Sequence, residues 1–190
     1  LLIITNAFFS LPILRVKDFS YFLEDNNLNI ISFYISKMVT GCRIGIIYRY
    51  SRKIQSVRVN YDGYPNGVGL ALLNYFNDFQ SEDNLRTIQN IIQKGDLRIL
   101  LSDTKNNIPD IAHYSDFYGN TKEYPFKEDT SFISYFYTTL NDSCQFYYLY
   151  EHGVGWACGS TYSNTPISGY LMKLSDAIQV MEEFNDKKYL

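Results

Sequence analysis

The side chains best suited to acid–base chemistry are sparse. His113 and His152 are the only two histidines. His113 shares a polar stretch with Asp116 and Glu123, and these residue types make a general acid–base group when they lie within hydrogen-bond reach, roughly 3 Å. The rival reading is that His113 only hydrogen-bonds within its own loop. His152 sits in a Gly-containing turn, Glu151-His152-Gly153-Val154-Gly155, and is expected to face solvent. Neither histidine has a second His or Cys at ligand spacing, so no zinc site is expected. There is no GxSxG string, and no Cys lies in a recognised nucleophile context. Cys42, Cys144 and Cys158 are odd in number and widely spaced, which fits buried or free thiols rather than a disulfide framework or metal knuckle. No catalytic residue is assigned and no cofactor or metal is expected, so the balance leans away from an enzyme. The alternative is a small hydrolase or transferase using His113, Asp116 and Glu123.

Two features point to binding instead. Asp62-Gly63-Tyr64-Pro65-Asn66-Gly67-Val68-Gly69 lies between an expected strand and an expected helix. Glycines there permit close backbone approach, and amides at a helix start can hold an anion. It is not a nucleotide fingerprint: the Gly-Lys-Ser/Thr of a P-loop is missing, and Gly67-x-Gly69 runs into Ala71-Leu72 after an antiparallel hairpin rather than inside a βαβ unit. The alternative is a tight connector in which Asp62 caps backbone amides and Tyr64 packs on the core. The second feature is Arg43, Arg49, Arg52, Lys53 and Arg58, with no acidic residue from Gly41 to Tyr61. Such a basic face with Tyr48 and Tyr64 nearby suits a phosphate-bearing ligand, although a solvated sheet face is the ordinary explanation. The candidate ligand-binding residues are Arg58, Asp62, Gly63, Tyr64, Gly67, Gly69 and His113.

These residues need elements to position them. Cys42 to Arg49 reads as a buried Ile-rich strand, Tyr50-Ser51-Arg52-Lys53 as a polar turn, and Ile54 to Tyr61 as an alternating strand with Val57, Val59 and Tyr61 on one face and Ser56, Arg58 and Asn60 on the other. Val68 to Phe76 carries a helical apolar pattern. A second helix starts at the N-cap Ser81 with Glu82 and Asp83 in its first turn, and ends at Lys94-Gly95. Asp103 to Asp129 reads as a long polar loop of the kind that often carries function. Thr130 is expected to cap a helix over Phe132 to Leu140, and Phe146 to Tyr150 and Trp156 to Ser160 to form a second hairpin. A C-terminal helix is expected from Ser175. The fold class is α+β, a small antiparallel sheet of β-hairpins packed with several helices.

The chain has 190 residues with 46% hydrophobic content, enough for one domain with a real core. Residues 38–190 are read as that domain, and 1–37 as an N-terminal extension. Met38 then marks the start of the compact part; the competitor is a helix from Phe19 to Lys37 packing Phe22, Leu23, Ile30 and Phe33 on the core. A formal net charge of -3 disfavours bulk nucleic-acid binding. The first fourteen residues are too short and too interrupted for a membrane span, and they lack the basic n-region and small-residue cleavage site of a signal peptide. A cytoplasmic protein of the host cell is expected. Aromatic residues reach 17%, with 18 Tyr and 13 Phe; AT-rich codons account for part of this, so the count is not in itself a stacking surface.

Gly41-Cys-Arg-Ile-Gly-Ile, the run RVNYDGYPNGVG from Arg58 to Gly69, and Leu72-Leu73 with Tyr75 together resemble a group of small proteins encoded by phages and prophages. In that group a short hairpin leads into a DGYP, then G-x-G, then helix signature. The similarity continues through Ile91 to Asp96, His113-Tyr114, Glu123-Tyr124 and Phe146 to Trp156, covering roughly residues 41 to 160. Where many members have His-Trp-Asp-Gly-Tyr-Pro, this chain has Asn60-Tyr61-Asp62-Gly63-Tyr64-Pro65. After His113 it has Ser115-Asp116-Phe117-Tyr118-Gly119 in place of an Arg-Gly-Glu-like run. The resemblance transfers no activity; together with the absent catalytic motifs and the basic hairpin it leads to the expectation of a phage-type, non-enzymatic binding protein that captures a small anionic or nucleotide-like signal, or a host protein, in counter-defence. A purely structural or protein-interaction domain is the other alternative.

Overall fold

The computed structural model describes residues 40–103, 108–118, 125–169 and 171–188. The chain divides into two units, Leu1–Met38 and Val39–Leu190, and every described residue belongs to the second. The expectations for residues 1–37 and for Glu123 lie outside the described residues.

The fold is α+β. Strands β1 (Cys42–Ile47) and β2 (Ile54–Val59) form the first hairpin, paired antiparallel. A π-helical turn, Pro65–Gly69, leads into α1 (Leu70–Tyr75), followed by α2 (Glu82–Gln93). Then come β3 (Leu97–Asp103), β4 (Ile108–His113), α3 (Tyr114–Tyr118), β5 (Lys127–Asp129) and α4 (Phe132–Asn141). The second hairpin is β6 (Phe146–Glu151) with β7 (Gly155–Ser160), and β8 (Met172–Lys173) runs into α5 (Leu174–Lys188).

The local signals act as the sequence suggests at α2. The Ser81 side chain accepts from the Asn84 amide, and Gly95 ends the helix at φ 96°, a left-handed conformation that costs glycine little. The cap of α4 is Ser131 rather than Thr130: its side chain accepts from the Ser134 amide. The stretch expected to be a loop from Asp103 to Asp129 instead carries β4, α3 and β5. Its apolar residues are too few to show a period, and β4 is ordered by pairing with β3 rather than by its own pattern.

The sheet is larger than hairpins alone imply, and it is mixed. Its eight strands run β4-β3-β2-β1-β6-β7-β8, with β5 pairing β2 off that path. The two hairpins join through β1 and β6, which are parallel, with Cys42 opposite Phe146 and Ile46 opposite Tyr150. One face carries Ile44, Ile46, Val57, Val59, Tyr148, Tyr150, Trp156 and Cys158, packed with Leu72 of α1, Ile88 and Ile92 of α2, and Leu174 and Ala177 of α5. The other face packs Ile54, Tyr147 and Leu149 against Tyr135 of α4. Both faces are therefore covered, so Ser56, expected on a solvated face, is fully buried. Tyr61, expected beside Val57 and Val59, lies past the end of β2 and is exposed.

The expected basic face is not assembled. Arg43 is completely buried beneath α4, where its Nε and Nη2 donate to Ser56 Oγ at 3.2 and 3.0 Å and Nη2 also donates to the Ser56 carbonyl at 3.1 Å. Its Nη1 pairs with Asp142, at the end of α4. Arg49 pairs with Glu151 and Lys53 with Glu128. The stretch is locally free of acid, but the carboxylates arrive from 75 to 102 residues away.

A buried charge that loses its partner keeps its desolvation cost and loses its compensation. Asp142→Ala should therefore lower the unfolding free energy by about 3–5 kcal/mol in urea denaturation. Lys127, which also reaches Asp142 at 2.8 Å but is 47% exposed, should cost under about 1 kcal/mol as Lys127→Ala. Equally small losses in both variants would contradict the structural role assigned to the Arg43 pair.

Candidate functional site

The Asp62 to Gly69 segment builds a tight turn in which the amides of Gly63, Gly67, Val68 and Gly69 donate to the chain itself. Val68 N–H donates to the Asp62 carbonyl at 2.9 Å, and Gly67 and Gly69 N–H to the Tyr64 carbonyl at 3.0 and 3.3 Å. Gly63 N–H donates to the Thr40 carbonyl at 2.9 Å, and the buried Tyr148 hydroxyl donates to the Gly63 carbonyl at 2.8 Å. Gly63 is pressed so closely on β1 that a Cβ there would lie 2.7 Å from the Gly41 carbonyl carbon. At Gly67 a Cβ would lie 2.4 Å from the Asp62 carbonyl oxygen. What these glycines approach in this structure is the chain itself. Asp62 is exposed with φ 53°, and Tyr64 is half-exposed with its ring 6.0 Å from that of Phe146.

Arg58 and His113 lie at the same end of the sheet as this turn, separated by β3. Leu97 pairs with both Val59 and His113. The Arg58 amide donates to Asp96 Oδ1 at 2.8 Å, while the Arg58 Nε is buried without a hydrogen-bond partner. Burial pushes the Asp96 carboxyl above its ordinary range, with the Arg58 amide and the Arg43 charge opposing. His113 is buried, and its Nδ1 lies 3.0 Å from the Gly95 carbonyl. A carbonyl only accepts, so Nδ1 carries the proton. Asp116 does not meet the imidazole: its carboxylate accepts from the His113 backbone amide at 3.2 Å and pairs with Lys94 at 2.6 Å. The three cysteines are free and buried, and burial pushes the Cys144 thiol up to about 11. No group of three or more His, Cys, Asp or Glu suited to a metal occurs among the described residues. None of the helices among the described residues is long and apolar enough to cross a membrane.

A different constellation forms at the opposite end of the sheet. β1 and β6 run parallel side by side, but β1 turns away to β2 and β6 turns away to β7. The two turns diverge and leave a crevice beyond the carboxyl ends of the central pair. The crevice is about 240 Å³, lined by Ile47, Arg49, Tyr50, Glu151 and His152. Tyr50 is fully exposed. Arg49 Nε donates to Glu151 Oε1 at 3.0 Å, leaving the Arg49 side chain 59% exposed and Glu151 almost covered.

The local sequence explains this geometry. Arg52 takes φ 55° to close the first turn, with Tyr48 N–H donating to the Lys53 carbonyl at 2.9 Å. The second turn is held by the loop before α2: Gly153 N–H donates to the Phe79 carbonyl at 2.7 Å, and His152 Nε2 lies 3.2 Å from Glu82 Oε1. Gly155, at φ 117°, is covered so closely by the Phe79 ring that a Cβ would lie 2.7 Å from it. Sequence reasoning placed His152 in solvent and Arg49 in a general basic face. It missed their meeting, because the parallel pairing that unites them spans about a hundred residues and leaves no local signal.

Two measurements follow. Gly67→Ala, where the obstruction is backbone, should lower the melting temperature, at a cost of about 1–3 kcal/mol; an unchanged melt would contradict the close approach. Burial, with help from Lys94, lowers the His113 pKa despite the Gly95 hydrogen bond and Asp116, so folding favours the neutral ring. Stability should fall as pH drops below the ordinary value of about 6.5, because the unfolded state takes up the proton first. His113→Asn retains a donor for Gly95 and should lose this component of the stability–pH profile. Asp96, shifted upward, acts with the opposite sign and is common to both proteins. Superimposable profiles would contradict the assignment.

No protein-family model matches the chain, and neither a curated protein nor a solved structure matches it.

Proposed function

We propose that the chain is a non-enzymatic binding protein that captures its ligand in the crevice between the β1–β2 and β6–β7 turns. The observation that carries this reading is the division of the polar side chains. His113 bonds Gly95 and Asp116 pairs with Lys94, so these two do not meet as an acid–base group, whereas Tyr50, Arg49 and His152 line one concavity, Arg49 paired with Glu151 and His152 beside Glu82. An aromatic face beside a few convergent polar groups is the usual make-up of a recognition site. The phage-type setting, and with it capture of a host factor or a nucleotide-like signal in counter-defence, rests on the resemblance of residues 41 to 160 alone.

The protein-interaction reading draws on a separate observation. Ile133, Tyr137 and Leu140 recur at i, i+4 and i+7 along α4, each at least 40% exposed, on a helix with no charged residue. An apolar stripe of that kind suits contact with another protein.

Thermal-shift measurement with nucleotides and with short peptides of differing charge tests the crevice. A ligand that binds the folded state at a hundredfold excess over Kd raises stability by about 2.7 kcal/mol. At least one such ligand should raise the melting temperature of the wild type but not that of Tyr50→Ser. A shift undiminished in that variant would move the site elsewhere, and turnover of the ligand would contradict the non-enzymatic reading.

A further inference from the structure

We infer that Asn66 is a self-modifying site: the Gly67 backbone converts it to isoaspartate when the Asp62 to Gly69 turn opens, and the closed turn holds that reaction off.

The chemistry is local to the pair. The Gly67 backbone nitrogen, once deprotonated, attacks the Asn66 side-chain carbonyl carbon. The new C–N bond closes a five-membered succinimide while the Cγ–Nδ2 bond breaks, and the side-chain nitrogen leaves as ammonia with the proton that Gly67 gave up. Water then opens the ring at one of its two carbonyls, giving aspartate or, with the chain re-routed through Cβ, isoaspartate. A glycine after the asparagine favours ring closure, because no Cβ shields its nitrogen and its backbone is free to turn. Asn66-Gly67 is the one Asn-Gly pair of the chain, and the one Asp-Gly pair, Asp62-Gly63, lies in the same turn.

Asn66 is exposed, so water and base reach it, but the fold restrains both partners of the reaction. The Gly67 N–H donates to the Tyr64 carbonyl at 3.0 Å, which keeps the proton on the nucleophile. Asn66 is the second residue of the π-helical turn Pro65–Gly69. Ring closure needs Cβ and the next nitrogen nearly eclipsed, and a helical backbone holds them apart. The Gly63 amide is tied in the same way, to the Thr40 carbonyl at 2.9 Å. Beneath the turn, the buried Tyr148 hydroxyl donates to the Gly63 carbonyl at 2.8 Å. Reaction therefore waits on local opening, and its rate follows the open fraction.

Reclosure after conversion is obstructed. Isoaspartate lengthens the backbone by one methylene just before Gly67, where even a Cβ would lie 2.4 Å from the Asp62 carbonyl oxygen. A turn that has opened and reacted cannot regain its seat on β1, so the modification works in one direction.

Peptide mapping by mass spectrometry during incubation at mildly alkaline pH tests this. The samples are the folded full chain, the same chain in urea, and a free peptide of residues 61–70. Conversion of Asn66 should be at least about tenfold slower in the folded chain than in the other two. Hydrogen exchange at the Gly67 amide should show protection of the same order as that ratio. Tyr148→Phe keeps the ring and removes the hydroxyl, and should quicken conversion about two- to tenfold, the loss expected for one buried hydrogen bond, with circular dichroism confirming the fold. Protein carrying isoaspartate should melt below Asn66→Asp, which has the new charge without the added methylene. Equal conversion in folded and unfolded chains, a Gly67 amide that exchanges freely while Asn66 stays intact, an unchanged rate in folded Tyr148→Phe, or isoaspartyl protein melting with Asn66→Asp would each overturn the inference.

Discussion

The fold turns on one buried cation. Arg43 stands in the second position of β1, fully covered, and its guanidinium joins three separate pieces of chain: β1 itself, β2 through Ser56, and the α4–β6 connection through Asp142. A bare guanidinium in that place would cost several kcal/mol, so the sheet and α4 are stable together only if Asp142 is delivered to it. That requirement couples the first hairpin to the second. The same junction sets β6 beside β1, with Arg43 opposite Tyr147, and the Tyr135 hydroxyl of α4 lies 3.1 and 3.2 Å from the carbonyls of Arg43 and Tyr148, its one proton shared between them. A weaker but less demanding apolar residue at 43 would pack without choosing a partner. The ion pair chooses one.

The parallel register of β1 and β6 then creates the crevice. At the end where the strands begin, the Arg43 network and the Asp62 to Gly69 turn fill the space with internal hydrogen bonds. At the end where they finish, the chain leaves in two directions and nothing described fills the gap. The structural polar groups and the exposed ones thus separate to opposite ends of the same two strands.

How much of this was legible in the sequence follows from the range of the interactions. Alternation in β2, the Ser81 cap with Glu82 and Asp83, and the Lys94-Gly95 stop are local, and each element stands where its pattern put it, within a residue or two. The π-helical turn ahead of α1 begins at Pro65, three residues before the helical pattern of Val68 to Phe76, within a stretch whose turn formers give no sign of helix. β4 was missed because its order comes from β3. The fate of the arginines was missed for a related reason: a window from Gly41 to Tyr61 contains no acid, yet Asp142, Glu128 and Glu151 neutralise three of its cations in space. His152 was set aside since nothing near it in sequence reveals Glu82 or Arg49 as neighbours. The DGYP segment was conspicuous for its composition, and its glycines are explained by how closely Gly63 and Gly67 approach the chain's own backbone.

The central claim is that the two ends of β1 and β6 have different work, structure at one and recognition at the other. Nitrogen–proton chemical-shift mapping during addition of the nucleotide or short peptide that gives the largest thermal shift tests it most directly. The account predicts that the perturbed amides gather at residues 48–53, at Glu82 and at residues 151–154, with the amides of residues 58–69 and His113 unmoved. Perturbations concentrated on residues 58–69 and His113, with the two turns silent, would contradict it.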